Sequence, residues 1–205
     1  MADKVKRLAL FGGSFSPPHN GHTEAALAFM NAVCADVLVI MPAREHPCKG
    51  EYSEGAEHRY EMCRLAFECD VRFGGMCRVS DMELKSEEVS YTYLTLRRLK
   101  KEADEVYMLV GADVLAGMEN WKNSREIFEN AVICYVGRGE SGRETAERYR
   151  KEYGARITEI DACVPSVSSN EIRRAAAEGL PICGASPAVA EYIITHALYG
   201  AKNDR

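Results

Sequence analysis

The sequence lacks any apolar run close to the roughly 20 residues that a helix needs to span a bilayer. Lys4, Lys6 and Arg7 stand near the start, but the apolar segment behind them stops at Phe11, which is too short for a secretory signal. A basic excess is also lacking, because the formal net charge is −5, and general nucleic-acid binders are usually basic. We therefore expect a cytoplasmic protein that uses neither a membrane nor a nucleic acid as partner.

Cysteine spacings typical of metal sites and redox motifs are lacking as well. None of the eight cysteines forms a C-x-x-C pair, and no cysteine–histidine cluster has zinc-finger spacing. Most of the cysteines stand beside apolar residues, where cysteine behaves as a small buried hydrophobe. We therefore predict structural thiols and no metal ion held by protein ligands. The eight are Cys34, Cys48, Cys63, Cys69, Cys77, Cys134, Cys163 and Cys183.

No internal repeat and no low-complexity linker divides the 205 residues. The hydrophobic fraction of 46% and the charged fraction of 28% are those of an ordinary soluble protein. A chain of this length can bury a substantial core. We expect a single domain over residues 1–205, with a C-terminal helical portion from about residue 166.

Short apolar runs alternate with helical patterns along the chain. Asp36–Met41, Glu105–Val110 and Ala131–Val136 have the length and continuous hydrophobicity of strands that are covered on both faces. Strands separated by helices predict right-handed crossovers and a mostly parallel sheet, so the fold class is α/β. Ligands bind outside the carboxyl ends of such strands. The polar features that follow strands, and are expected to share that edge, are Gly12–His22, Arg44–Lys49, Gly111–Asp113 and Ser166–Arg173.

The first of these features has the pattern of a phosphate site. The apolar run Leu8–Phe11 meets Gly12 and Gly13, and a short polar loop then leads to His19 and His22 and into a helical pattern. N–H groups at a helix N-terminus point outward, and the helix dipole favours negative charge there. Two imidazoles add further donors. The stretch therefore predicts a nucleotide-binding site.

A second candidate phosphate site lies near the C-terminus, in the sequence VSSNEIR. Ser168 and Glu171 fit a capping box, which predicts a helix N-terminus at Ser168. Arg173 lies about a turn and a half inside that helix, and helical side chains lean back toward the N-terminus. An ordinary capped surface helix with solvated arginines is the alternative.

The two motifs together resemble the nucleotidyltransferases with an H-x-G-H signature, which bind ATP with both. The middle of the chain resembles the bacterial nicotinate-nucleotide adenylyltransferases, and the resemblance runs in order from Leu8 to about Tyr199. The stretches that carry it are His46–Lys49, Glu57–Met62, Ser90–Tyr93 and Val110–Leu115 followed by Trp121. The resemblance implies a doubly wound, Rossmann-like sheet with helices on both faces. It also implies transfer of AMP from ATP to nicotinate mononucleotide, which gives nicotinate adenine dinucleotide and pyrophosphate in NAD biosynthesis.

The same resemblance implies roles for individual residues. Catalytic roles fall to His19, His22 and Arg173. The residues implied to bind ATP are Gly12, Gly13, Ser14, Phe15, Gly111, Asp113, Ser168 and Ser169. Those implied to bind the acceptor are Lys49, near its phosphate, and Thr92 and Trp121, at its pyridine ring.

The implied chemistry needs no dedicated base, because a phosphate monoester has a second pKa of about 6 and is already an anion at neutral pH. Catalysis then consists of holding two charged groups in line and neutralising charge on the bridging and leaving oxygens. The expected cofactor is Mg²⁺, held mainly by ATP phosphates and water, since the sequence offers no protein cage for it. The expected partners are ATP and a pyridine mononucleotide, and a homo-oligomer is left open.

Three positions depart from the family pattern. Ser16 stands where the family commonly has Asp, Asn170 where it has Thr, and Leu94 where it has an acidic residue. Two alternatives to the nicotinate reaction stay open. One is transfer to nicotinamide mononucleotide or another phosphorylated acceptor, and the other is a catalytically weak nucleotide-binding regulatory module, which the loss of charge at Ser16 keeps in consideration.

Overall fold

The computed structural model describes residues 4–44, 54–86, 89–137 and 139–202. Its strands are β1 (Val5–Gly13), β2 (Val37–Pro42), β3 (Cys77–Val79), β4 (Ala103–Gly111), β5 (Val132–Val136) and β6 (Ile157–Glu159). They form one sheet in the order β3-β2-β1-β4-β5-β6. The predicted apolar runs lie in β2, β4 and β5, except that Asp36 and Ala131 stand one residue before β2 and β5, and most residues of these three strands are buried.

The sheet is parallel and doubly wound. β4 pairs in parallel with β1 and with β5, and β5 pairs in parallel with β6. β2 runs parallel to β1, because Asp36 N–H donates to the Arg7 carbonyl and, further along both strands, Ala43 N–H donates to the Gly13 carbonyl. The strand order reverses at β1, so right-handed crossovers put helices on both faces. The predicted α/β fold is confirmed.

Eight α-helices connect and flank the described strands. They are α1 (Asn20–Val33), α2 (Ala56–Cys63), α3 (Thr92–Leu99), α4 (Ala112–Leu115), α5 (Ser124–Asn130), α6 (Glu140–Tyr153), α7 (Ser169–Glu178) and α8 (Pro187–Thr195). A π-helical turn, Arg64–Glu68, continues α2. Among the described helices, none has the length and hydrophobicity to cross a membrane.

Between Gly111 and Ala131 the sequence predicts a helical stretch through Trp121 and Ile127. This prediction is wrong in one respect, because the stretch is interrupted at Trp121. A 3₁₀ turn, Met118–Asn120, ends there, and Trp121 has extended backbone angles. Asn123 follows in the left-handed region with φ 55°, a conformation that asparagine tolerates better than most residues. The break turns Trp121 out of the helical repeat and leaves it only partly buried.

The chain divides into two compact units, each assembled from three segments. Unit 1 comprises the segment that ends at Gly12, Ala26–Val39 and Ser90–Ala162, and unit 2 comprises the rest. Unit 1 buries Leu8, Phe29 and Ile133, and unit 2 buries Phe15, Met62 and Ile172. The expectation of a single domain stays a prediction. The described elements after residue 166 are helical, with α7, α8 and a final 3₁₀ turn.

Candidate active site

The second motif forms the capped N-terminus of α7 in unit 2. Ser168 Oγ accepts a hydrogen bond from Glu171 N–H at 3.3 Å, and a carboxylate oxygen of Glu171 accepts from Ser168 N–H at 2.8 Å. These are the two reciprocal bonds of a capping box, so the predicted helix start is confirmed. The bonds from Ser168 lower the pKa of the Glu171 carboxyl. Its negative charge therefore persists beside the helix terminus.

The conformation of the loop after β1, which also belongs to unit 2, depends on Phe15. This residue has φ 45°, a left-handed conformation that bulky residues rarely adopt. Its buried ring packs edge-on against Phe67 and His22, with centroid distances of 5.7 and 5.1 Å. A β-carbon at Gly13 would lie 3.1 Å from that ring, so the close approach favours glycine there. Phe15 thus supports the site with its ring and can offer a ligand only its backbone.

The two histidines stand at the start of α1 with their rings stacked. The helix begins at Asn20, earlier than predicted, so His22 lies in its first turn. The ring centroids of His19 and His22 are 3.6 Å apart at an interplanar angle of 26°. His19 N–H donates to Nδ1 of His22 at 3.2 Å. A neutral His22 must therefore carry its proton on Nε2, which is then a donor.

Burial keeps both imidazoles neutral at physiological pH. It lowers the pKa of His19 to about 4, an effect that the Glu171 carboxylate partly opposes. Burial, with a smaller contribution from the neighbouring His19, lowers the pKa of His22 to about 3. Among the described residues, no hydrogen-bond partner is found for the buried Nδ1 of His19. A bound anion would raise both pKa values.

Direct hydrogen bonds join the two motifs. Ser169 Oγ–H donates to the Pro17 carbonyl at 2.8 Å, and Arg173 donates to the Ser16 carbonyl at 2.6 Å. The guanidinium of Arg173 also donates to Oδ1 of Asn170. Arg173 therefore reaches back to the cap region, as its position in the helix predicts. In this structure the Arg173 guanidinium and the Ser169 hydroxyl hold residues 14–22, the segment from the end of β1 to the first turn of α1, which we call the histidine loop.

Ser16, where the family pattern breaks, lies buried inside this arrangement. Its hydroxyl oxygen is 3.4 Å from the hydroxyl of Tyr199, in the 3₁₀ turn Leu198–Gly200. Burial is the main cause that raises the pKa of the Tyr199 phenol. A neutral pair of hydroxyls is thus found where the resemblance implies a carboxylate. Asn170, the second departure, accepts a hydrogen bond from Arg173.

Arg59 is a residue that the sequence reasoning missed. It lies in α2 and is only 1% exposed. Its guanidinium donates to the carbonyls of Ser14 (3.0 Å), Ala43 (2.7 Å) and Arg44 (3.1 Å). The signal was available, because Arg59 shares the helical stripe of the buried Met62 and Cys63. An arginine on a buried stripe needs polar partners.

The remaining predicted ATP-binding residues lie in unit 1. Gly111 ends β4, whose Leu109 is in register with Phe11 of β1, so Gly111 lies near the end that carries Gly12. Asp113 follows in α4 and is exposed. Its carboxylate lies so close to Gly111 that a β-carbon on the glycine would collide with it. The structure thus places these three residues along one end of two neighbouring strands.

The predicted acceptor residues Thr92 and Trp121 also lie in unit 1. Thr92 begins α3, and both side chains are partly buried. The ammonium of Lys122, next to Trp121, lies 4.3 Å from the ring centroid of Tyr91, next to Thr92. The residues next to the two predicted positions are therefore in contact. Lys49, the third predicted acceptor residue, lies outside the described residues.

Residues 10–175 match the sequence model of a family described as cytidylyltransferase-like. Curated relatives agree over nearly the whole chain. A probable nicotinate-nucleotide adenylyltransferase of Clostridium botulinum (strain Loch Maree / Type A3) is 34% identical over 201 residues, which cover 93% of this chain and 98% of the relative. A protein of the same description from Neisseria meningitidis is 32% identical over 203 residues, with coverages of 95% and 99%.

Solved structures share the fold. Plasmodium falciparum nicotinic acid mononucleotide adenylyltransferase complexed with NaAD has a TM-score of 0.78 at 18% identity and covers 96% of this chain and 98% of that one. The same enzyme complexed with APC has a TM-score of 0.76. From the family match and the identity to curated relatives over nearly their full length, the chain belongs to the cytidylyltransferase-like family, among the nicotinate-nucleotide adenylyltransferases.

Proposed function

We propose that this enzyme transfers AMP from ATP to nicotinate mononucleotide and so makes nicotinate adenine dinucleotide and pyrophosphate for NAD biosynthesis. The observation that carries the proposal is the direct bonding of the two phosphate motifs, through Ser169 to the Pro17 carbonyl and through Arg173 to the Ser16 carbonyl. An ordinary capped surface helix would not need to hold a histidine loop. Full-length relatives of the same description support the choice of acceptor.

In this reaction a phosphate oxygen of the mononucleotide attacks the α-phosphorus of ATP. A new oxygen–phosphorus bond forms as the bond from the α-phosphorus to the bridging oxygen breaks, and pyrophosphate leaves with the bonding electrons. The acceptor phosphate is an anion at neutral pH, since its second pKa is about 6, so no side chain has to remove a proton. The work of the protein is to align the two phosphates and neutralise charge.

The histidines suit this work as hydrogen-bond donors. His22 offers Nε2–H, because its Nδ1 accepts from His19 N–H. Both rings are neutral in the free protein, with pKa values of about 4 and 3, and the approach of phosphate charge raises these values. We assign His19, His22 and Arg173 to the transferring phosphates and to the charge that develops on the leaving group.

The other assignments follow the resemblance. Backbone groups of Gly12, Gly13, Ser14 and Phe15, together with Gly111, Asp113, Ser168 and Ser169, are proposed to bind ATP. Thr92, Trp121 and Lys49 are proposed to bind the mononucleotide.

Mg²⁺ is the proposed cofactor. Apart from the Glu171 carboxylate, which is bonded to Ser168, and the Asn170 amide, which is bonded to Arg173, the polar side chains at the histidine loop and the α7 terminus are mainly imidazole, hydroxyl and guanidinium groups. These suit phosphate oxygens, whereas Mg²⁺ prefers carboxylate, phosphate and water oxygens. Within the described ranges, no group of three or more His, Cys, Asp or Glu side chains could hold a metal ion. The donor set therefore fits an ion that arrives with ATP. When bound, Mg²⁺ would neutralise charge on the phosphates. The proposed partners are ATP and the mononucleotide in the cytoplasm.

Pyrophosphate release with a panel of acceptors tests the proposal. Purified protein with ATP and Mg²⁺ should show the highest kcat/KM with nicotinate mononucleotide, a lower value with nicotinamide mononucleotide, and none with a phosphate monoester that lacks the pyridine ring. Tight ATP binding without pyrophosphate release for any acceptor would instead identify a regulatory module. A preference for the nicotinamide compound would correct the acceptor and leave the reaction type standing.

A further inference from the structure

Arg59 connects two loops of unit 2, which follow the carboxyl ends of β1 and β2. One of its acceptors, the Ser14 carbonyl, follows β1, and the other two, the carbonyls of Ala43 and Arg44, follow β2. Backbone carbonyls beyond a strand end have lost their ladder partners and need donors when buried. Arg59, which is 1% exposed, needs hydrogen-bond acceptors in turn, because a buried charge must be hydrogen-bonded.

The bond to Ser14 fixes the orientation of one peptide group. In a planar trans peptide the carbonyl of one residue and the N–H of the next point in opposite directions. The Ser14 carbonyl points at the buried guanidinium, so the N–H of Phe15 points away from it. Phe15 itself cannot relax easily, since its left-handed backbone is held by a ring that packs against Phe67 and His22.

We propose that Arg59 is a positioning residue for ATP: it fixes the Ser14–Phe15 peptide so that the Phe15 N–H faces the triphosphate. The proposal rests on the proposed function, which places ATP phosphates at this loop. Arg59 is only 1% exposed, so we expect it to act on ATP through the backbone groups that it holds and not by direct contact. A preorganised N–H is effective because it does not have to reorient as charge arrives.

The geometry requires arginine at this position. Arginine presents five N–H donors in a rigid planar fork, whereas lysine has a single ammonium on a flexible stem. Two nitrogens of Arg59 reach three carbonyls that belong to two different loops. Lysine would keep the positive charge and lose at least part of these three hydrogen bonds. Arg59→Lys therefore separates the contribution of the charge from that of the planar guanidinium.

A purely structural role predicts a different pattern of kinetics from a positioning role. A loss of packing alone would lower stability and disturb both substrates alike. A change in the orientation of the Ser14–Phe15 peptide would weaken the binding of ATP more than that of the mononucleotide, because this peptide belongs to the loop proposed to bind ATP. The affinity for ATP, compared with the KM of the mononucleotide, therefore distinguishes the two roles.

The experiment compares Arg59→Lys with wild type and with the control Arg64→Lys, an exposed arginine that pairs with Glu61 and Glu68. We expect the Kd of a non-hydrolysable ATP analogue to rise about tenfold in Arg59→Lys, the scale of one hydrogen bond to a charged group. The KM of the mononucleotide should stay within about twofold, and Arg64→Lys should match wild type in both. An unchanged Kd in folded Arg59→Lys, or equal losses for both substrates, would overturn the proposal.

A measurement on the wild-type protein covers the case in which Arg59→Lys fails to fold. Hydrogen exchange of the Phe15 amide should slow when the ATP analogue binds, and an unchanged rate overturns the proposal. The proposed function is checked on the same preparation through analogue binding and pyrophosphate release. If wild type shows neither, the proposed function fails. If wild type shows both and Phe15 exchange is unchanged, only the positioning role fails.

Discussion

The histidine loop of unit 2 and the Trp121 segment of unit 1 are held in different ways. In the histidine loop, side chains of two helices donate to backbone carbonyls. The donors are Arg59, Ser169 and Arg173, and the acceptors are the carbonyls of Ser14, Pro17 and Ser16. The Trp121 segment is held by local turns, from Trp121 N–H to the Met118 carbonyl and from Ser124 N–H to the Trp121 carbonyl.

This difference matches the two proposed ligands. A triphosphate carries the same charges in every catalytic cycle. A loop whose carbonyl groups are hydrogen-bonded on the side away from the ligand keeps its N–H groups oriented toward those charges. A pyridine ring is recognised largely by contact with apolar surface, for which a partly buried tryptophan in a turn is sufficient. We therefore expect substitutions in the histidine loop to impair the chemical step and those near Trp121 to change acceptor affinity.

The largest effect is expected for His22→Ala. It removes an Nε2–H donor that the His19 backbone bond holds in one tautomer. Loss of one preorganised donor to developing charge typically lowers kcat about 100- to 1000-fold. Pyrophosphate release at saturating substrates measures it, with the exposed His196→Ala as control. Equal turnover of His22→Ala and wild type would refute the catalytic role.

A smaller loss is expected for Arg173→Lys, which keeps the charge and shortens the reach. The bonds to the Ser16 carbonyl and to Asn170 cannot both be kept by an ammonium in the same geometry. We expect kcat/KM for ATP to fall about tenfold, the scale of one charged hydrogen bond. The kcat/KM for ATP measured at saturating mononucleotide checks it. Arg64→Lys is the matched surface control. If only the KM of the mononucleotide rose, the histidine loop would be assigned to the mononucleotide and not to ATP.

Trp121→Ala tests the other side of the comparison. Removing a stacking ring should raise the KM of the mononucleotide about tenfold, since base–aromatic stacking is worth ~1–3 kcal/mol. The KM of ATP should stay within about twofold, and Trp121→Phe should recover most of the affinity. Initial rates with each substrate varied in turn provide the measurement. A larger change in the KM of ATP than in that of the mononucleotide would contradict the comparison.

Acid stability should also depend on the histidine loop. The folded protein keeps His19 and His22 neutral, with pKa values lowered from 6.5 to about 4 and 3, whereas the unfolded chain binds protons from about pH 6.5 downward. Stability is therefore unaffected by these groups above pH 6.5 and falls as the pH drops from there toward 3. His22→Gln should flatten the fall of the unfolding free energy across this window, as measured by urea titration. The same slope in wild type and His22→Gln, with His196→Gln as reference, would argue against burial of a neutral His22.

The sequence predicted the regular parts of the molecule well, because their signals are local. The capping box at Ser168 follows from neighbouring residues alone and is confirmed. Ser186 followed by Pro187 predicts a helix start in the same way, and α8 begins there. The interruption at Trp121 was missed, since it depends on a left-handed Asn123 that hydrophobic periodicity does not report. Arg59 was missed because its partners are carbonyls from distant loops, and carbonyls occur at every residue. The roles of the site residues stay predictions.

The smallest effect is expected at Ser16. Its hydroxyl lies 3.4 Å from that of Tyr199, a long contact between neutral groups, so Ser16→Ala should cost no more than about 1 kcal/mol of unfolding free energy. Tyr199→Phe removes the other hydroxyl, and the double variant gives the coupling between them by urea unfolding. Turnover should change little in all three, because Arg173 holds the Ser16 carbonyl whichever side chain is present. A strong loss of turnover in Ser16→Ala without a loss of stability would mean that the hydroxyl itself faces the substrate, and the departure from aspartate would then matter for catalysis.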